Sequence, residues 1–186
     1  GASIPERDNA GKTAYDLAVE AGDTSAAKVL AGADALAEAL SRGDETRVKE
    51  MLAAGTDPND KDSGGTPMLH HAVASGDVSI AKILLAAGAD VNGVNSEGDA
   101  AIHRAADEGN AEMIDLLAEN GADLNAQDAT GATALHRAAR KRQPDAVHAL
   151  LRHGADPVAR DSSRSTPLHA AGLGGSVPCV TAILDA

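Results

Sequence analysis

Four histidines, His70, His103, His136 and His169, recur every 33 residues, and imidazoles at a fixed spacing first suggest metal ligation. The spacing itself argues against it. Zinc–nitrogen bonds are about 2.0–2.1 Å long, so ligands must converge on one point, whereas side chains a whole 33-residue period apart fall on successive structural units. A structural role is expected for all four. His70 and His71 form the one adjacent pair, and neighbours on a helix point apart. Cys179 is the sole cysteine, so no internal disulfide can form; it stands in register with Met113 and is expected to be a buried, inert thiol. Gly172 to Gly175 resemble a phosphate-cradling loop, but no Gly-Lys-Ser/Thr ending follows, and the stretch reads as a turn between helices. No Cys-His-Asn or Ser-His-Asp arrangement is implied, and no catalytic, cofactor-binding or metal-binding residue is assigned.

Charge carries more information. The 186 residues hold 28 acidic and 16 basic side chains, a net charge of -12, which disfavours nucleic acid because phosphate-backbone affinity comes from Lys and Arg displacing counterions. The balance is uneven along the chain. Residues 137–164 carry Arg137, Arg140, Lys141, Arg142, Arg152, Arg160 and Arg164 against Asp145, Asp156 and Asp161, a local +4, while residues 65–136 balance at -9. Such asymmetry could steer an acidic partner to the basic stretch or align copies head to tail. The composition is 43% hydrophobic, with no Trp or Phe and Tyr15 as the single aromatic. The interior must therefore be built from Ala, Leu, Ile and Val at close range, which suits small, closely packed helices. No apolar run approaches the roughly 20 residues of a membrane span, and the N-terminus lacks the regions of a signal peptide. The chain is expected to be soluble and cytoplasmic.

The positioning elements follow from the period. Gly88-Ala89, Gly121-Ala122 and Gly154-Ala155 keep the 33-residue spacing, as do Asp62, Asn95, Asp128 and Asp161. Each unit reads as a loop, a short helix, a Gly-containing turn, a longer helix and a Gly-Ala-Asp turn. In residues 128–160 the first helix starts at Thr133 and presents Leu135, Ala138 and Ala139 at helical spacing. Ala146 to Leu151 form the second, and Gly154 stops it. Arg142 occupies the inter-helix turn where other units have Gly43, Gly76 and Gly109. A left-handed backbone costs a non-glycine residue about 1–2 kcal/mol, so a locally altered turn is expected there.

These units resemble ankyrin repeats, whose Thr-Pro-Leu-His-x-Ala signature stands as Thr166-Pro167-Leu168-His169-Ala170-Ala171. Degenerate forms read Thr133-Ala134-Leu135-His136, Ala100-Ala101-Ile102-His103 and Thr66-Pro67-Met68-Leu69-His70, the last with one extra residue before its His. The resemblance implies an all-α fold, an ankyrin-repeat solenoid of stacked helix-turn-helix units with short β-hairpin connections. Its units would be a last-type repeat at 1–32, a first-type repeat at 33–64, repeats at 65–97, 98–130 and 131–163, and a partial repeat at 164–186. In the family the histidine and its threonine brace the turn. Asparagines similar to Asn92 and Asn125 can be hydroxylated by an oxygenase, against which stands the plainer role of bracing the hairpin.

The order of the units is unusual. Unit starts at Gly32, Gly65, Gly98, Gly131 and Arg164 are 33 apart, but Gly11 precedes Gly32 by only 21. Residues 11–22 resemble a last repeat, with Asp16 in the histidine position, and residues 33–43 resemble a first one, so a last-type unit precedes a first-type unit. The helix expected at Thr24 to Ala31 would run almost directly into one at Asp34 to Leu40. Numbered on past residue 186, Gly11 would fall two whole periods after Gly131 and Asp8 one period after Asp161. A circular permutant is the reading this favours; a fragment of a longer array is the alternative. Helices pack about 8–10 Å apart, and a four-residue connection reaches only about 14 Å. Residues 1–30 then cannot fold back onto residues 164–186 of their own chain, but could dock on those of another copy.

The resemblance also implies a binding surface of hairpin tips and exposed first-helix positions: Ser63, Thr66, Ala74 and Ser75; Ser96, Asp99, Asp107 and Glu108; Thr130, Ala132, Arg140 and Lys141; Ser163, Ser165 and Leu173. It has no aromatic anchor, and Arg is the remaining residue type enriched at hot spots, so Arg140 and Lys141 are its expected centre. The expected function is a non-catalytic protein–protein interaction scaffold that self-assembles by head-to-tail or swapped docking, or else binds an unrelated protein. No cofactor, nucleic acid or membrane is expected to take part.

Overall fold

Short apolar repeats at helical spacing fold as short helices, and a computed structural model describes them over residues 32–186, together with 17 and 20–22. Among the described residues there are ten. They are α1 (Ala33–Ser41), α2 (Glu45–Ala53), α3 (Met68–Ser75), α4 (Val78–Ala86) and α5 (Ala101–Glu108), then α6 (Ala111–Glu119), α7 (Ala134–Arg140), α8 (Pro144–Arg152), α9 (Pro167–Gly174) and α10 (Val177–Leu184). The helix expected at Thr24 to Ala31 lies outside the described residues, as does most of the last-type unit.

The helices stack in two layers. First helices pack on first helices, α1 on α3, α3 on α5, α5 on α7 and α7 on α9, and the second helices follow in parallel order. Alanines line the close contacts: Ala72, Ala105, Ala106, Ala138, Ala139 and Ala171 are fully buried, with Leu36, Leu40, Met51, Ile80, Ile102, Met113, Leu117, Leu135 and Leu150 filling the space between layers. Cys179 is buried beside them, as its register with Met113 predicts. No single pair could bury both its faces, so each repeat depends on its neighbours.

Caps explain where the helices begin. Asp44, Asp77, Asn110 and Ser176 accept hydrogen bonds from the first-turn amides of α2, α4, α6 and α10, whereas α8 opens instead on Pro144 in its first turn. The first helices use histidine. His103, His136 and His169 each accept at Nδ1 the N–H of the residue three before them, Ala100, Thr133 and Thr166, at 3.1–3.3 Å. Thr133 therefore caps α7 through its backbone and its ring partner; its hydroxyl lies 2.9 Å from His136 Nδ1 and not on a helix amide. With Nδ1 an acceptor, Nε2 carries the proton and donates to a backbone carbonyl, that of Ala126 in the same unit from His103 and that of Ser165 in the next repeat from His136.

The connections are pinned loops with isolated bridges, Lys61 to Pro67 and Val94 to Ala100, and the described residues contain no longer ladder. Asp62, Asn95, Asp128 and Asp161 organise each loop. One side-chain oxygen accepts from the amides two and four residues on, such as Thr130 and Ala132 for Asp128. Asn59 and Asn92 clamp one repeat to the next, each donating to a glycine carbonyl (Gly88, Gly121) and accepting from an aspartate amide (Asp90, Asp123); Asn125 accepts from that of Asp156.

Two sequence readings are corrected. Arg142 does not alter its turn: its φ of 61° matches the 72–73° of Gly43, Gly76 and Gly109. Stacking prevails over the local cost, because the Arg142 Nε–H donates to the Gly174 carbonyl of the next repeat. The unit at Thr66 to His70 has no extra residue. Pro67 itself is the N-cap of α3 and His70 keeps its usual third position; Thr66 belongs to the loop.

Candidate functional site

The first-helix face bordering the loops is where charged side chains from different repeats meet. Successive repeats place Glu38, His71, Arg104 and Arg137 in one row, and Ser41, Ala74, Asp107, Arg140 and Leu173 in the next. At its centre Arg137 crosses to the preceding repeat. Its Nη1 lies 2.7 Å from Asp99 Oδ2 and 3.6 Å from Asp128 Oδ2, its Nε donates at 3.1 Å to Asp107 Oδ1, and its Nη2 meets Asp107 Oδ2. The Arg137 side chain is only 15% exposed. Burial alone would weaken its hold on its proton, but Asp107 and Asp99 outweigh that and raise its pKa further above the ordinary arginine value. Burial likewise pushes the Asp128 carboxyl up, yet the Thr130 hydroxyl and the Thr130 and Ala132 amides win and hold it below the usual carboxylate range.

This arrangement sorts the expected binding residues. Asp99 and Asp107 are half-buried and held by Arg137, whereas Arg140 and Lys141 at the end of α7 are exposed. Ser63, Ser96, Thr130 and Ser163 are exposed on the loops, and Thr66 and Ser165 are half-buried at their bases. The Ser63 amide donates to Asp34 Oδ1 at 2.7 Å, and the Thr130 hydroxyl to Asp128 Oδ1 at 2.6 Å. Glu108 forms an i,i+4 ion pair with Arg104 at 3.2 Å. Leu173, 83% exposed, continues the Arg140 row. Sequence reasoning missed Arg137, Arg104, His71 and Asn95. The signal was present in the 33-residue register, which aligns three of them in one row and the fourth with Asp62, Asp128 and Asp161.

His71 joins α1 to the 62–66 loop. Its Nε2 lies 2.9 Å from Asp62 Oδ2 and its Nδ1 3.4 Å from Ser41 Oγ. This brings a Ser, a His and an Asp into line where none was implied. Ser41 is the last residue of α1, where the helix presents carbonyl oxygens and the negative end of its dipole. That is the wrong polarity for an oxyanion, so the three serve as a tie between repeats. Among the described residues no three His, Cys, Asp or Glu side chains gather as metal ligands would, and no helix is long and apolar enough to cross a membrane.

The far end of the stack differs from its middle. His169 is exposed, whereas His70, His103 and His136 are buried beneath a following repeat. Val177 is 75% and Leu184 66% exposed, although Pro144 and Leu151, their equivalents one repeat earlier, are half-buried. Val158 replaces the asparagine of the inter-repeat clamp and is 69% exposed. A family model described as ankyrin repeats (3 copies) matches residues 36–128 and 121–186. No curated protein matches the chain.

Proposed function

Because the chain belongs to the ankyrin-repeat family and is thereby a protein-interaction scaffold, we propose that it acts without catalysis and assembles with copies of itself. In this reading the last-type unit within residues 1–32 of one copy stacks on the 164–186 unit of the next, beyond the repeats at 33–64, 65–97, 98–130 and 131–163. The observation that carries it is the uncovered face of α9 and α10. Its apolar groups Val177 and Leu184 are bare where their equivalents are half-covered. His169 accepts at Nδ1 from Thr166, which leaves Nε2–H as an outward donor at the point where His136 reaches the next repeat's carbonyl. The face thus has the chemistry of an inter-repeat contact. Residues 11–31 supply a unit of matching register whose 21-residue offset from Gly32 omits the usual joining loop.

The contact is heterologous, so it closes into a ring or grows into a fibre, unless two copies swap reciprocally. Molar mass by light scattering across a wide concentration range tests it. A mass above the 18.6 kDa monomer that falls on dilution, and falls further in Val177→Glu/Leu184→Glu, is expected. A strict monomer at high concentration overturns the self-docking. A heterologous partner on the first-helix face is a second reading, favoured by the exposed Arg140 and Lys141 beside Leu173. On it the contacting set is Ser63, Thr66, Ser96, Asp99, Asp107, Glu108, Thr130, Arg140, Lys141, Ser163, Ser165 and Leu173.

A further inference from the structure

One repeat before the Arg137 socket, the same three positions carry different residues. Asp99, Asp107 and Asp128 are replaced by Thr66, Ala74 and Asn95, and Arg137 by Arg104. No carboxylate draws Arg104 inward, and its guanidinium instead pairs with Glu108 on its own helix, with its side chain 48% exposed. What remains is a cavity of about 340 Å³ lined by Thr66, Ala74, Asn95 and Arg104 together with His70 and His71. We propose that this cavity receives the carboxylate of an aspartate or glutamate on an extended acidic segment of a partner protein.

The polarity of the vacated socket is inverted. Asp128 uses one oxygen for its loop amides and the other for Arg137. Asn95 spends Oδ1 in the same way, on the amides of Glu97 and Asp99, so the atom taking the place of the second oxygen is Nδ2, a donor. Thr66 adds a hydroxyl and Arg104 a forked cation, and a carboxylate is the acceptor that satisfies both geometrically. Of the acidic residues that also line the space, Asp99 is bound to Arg137, and Glu97 lies exposed on its loop. The Arg104–Glu108 pair is an exposed i,i+4 bridge, of the weakest kind and readily exchanged.

A second carboxylate has a place further along the face. Arg140 and Lys141 lie one repeat and one helical turn on from Arg104. Stacked helices are about 8–10 Å apart, a distance that about three residues of extended chain cover at roughly 3.3 Å each. The fitting segment therefore has acidic residues at i and i+3.

This inference uses the first-helix face and is independent of docking at residues 164–186. Its readout is peptide binding, while that of self-docking is concentration-dependent mass, so either can fail alone. The experiment is calorimetric titration of the 186-residue chain with the peptide Ser-Glu-Ser-Gly-Glu-Ser and with its Gln-for-Glu analogue. The Glu peptide is expected to bind at least tenfold tighter than the Gln peptide. Arg104→Gln should lose about tenfold for the Glu peptide, while Arg152→Gln, a charge change on α8, should lose little. Asn95→Asp keeps the loop acceptor but turns the donor into an acceptor, and should abolish Glu-peptide binding with an unchanged helical signal. Equal affinity for the two peptides, or parental affinity in both Arg104→Gln and Asn95→Asp, overturns the proposal.

Discussion

At His70 the capping chemistry of the repeat fails for a covalent reason. Pro67 has no N–H, so the Nδ1 that in His103 and His136 accepts a backbone proton is buried without a partner. Nε2, 2.7 Å from the Asp99 carbonyl, must be the protonated nitrogen. Burial lowers the His70 pKa, and the neighbouring His71 and His103 add to that; the Asp99 carbonyl opposes it without prevailing. A buried unpaired acceptor costs about 1–3 kcal/mol, and proline's restriction of the unfolded chain offsets about 0.4–1 kcal/mol of that. Pro67→Thr, which restores both the N–H and the hydroxyl found at Thr133, should stabilise the fold by about 1 kcal/mol. Thermal unfolding should show a Tm rise of roughly 2–4 °C; an unchanged or lower Tm would contradict this account.

At the scale of elements, Arg137 is a staple between α5, the 128–132 loop and α7. Its removal would leave Asp99, Asp107 and Asp128 facing one another in a half-buried site, so Arg137→Ala should cost on the order of 3 kcal/mol at neutral pH. The pH dependence has a definite sign. Asp128, and likewise Asp62 and Asp115, have folded pKa values below the 3.8 of a free aspartate. Their contribution is therefore complete above that value and is lost as pH falls through the lower folded pKa. In Arg137→Ala acid has the opposite local effect, because protonation relieves the repulsion. The gap in denaturant midpoint between the parent and Arg137→Ala should be widest near pH 7 and narrow toward pH 3; a constant gap would show that Arg137 acts through packing alone. The α7–α9 contact carries a steric constraint as well. A Cβ on Gly174 would lie 2.9 Å from the Arg140 carbonyl oxygen, which is why a glycine stands where other repeats have Ser75, Glu108 and Lys141.

The described repeats form a one-dimensional stack, and its stability is a sum of repeats and the interfaces between them. Interior repeats have two interfaces. In the unit at 164–186 the histidine, Val177 and Leu184 are exposed. Amide hydrogen exchange should therefore be slowest in α5 to α8 and fastest toward α10. If residues 164–186 are covered by another copy, raising the concentration should slow exchange in α9 and α10 selectively; uniform exchange along the stack at all concentrations would contradict both statements.

The sequence by itself determined the architecture. A 33-residue period, glycines at left-handed turns and small apolar residues at helical spacing leave few alternatives to stacked helix pairs, because these are local regularities repeated in register. It also placed Cys179 in the interior, whereas Asn92 and Asn125, read as braces of their own hairpins, reach across to the following repeat. Only the tertiary structure decided which polar side chains remain available. Asp99, Asp107 and Arg137 are ordinary helix or loop residues in the chain, and their roles depend on contacts between repeats some 30 residues apart in sequence. The same holds for Arg142, whose local preference predicted a different turn until the Gly174 carbonyl of the next repeat supplied its partner. Local propensity is read within a unit, whereas charge pairing and strain are resolved between units, and the period alone does not say which way a long side chain will cross.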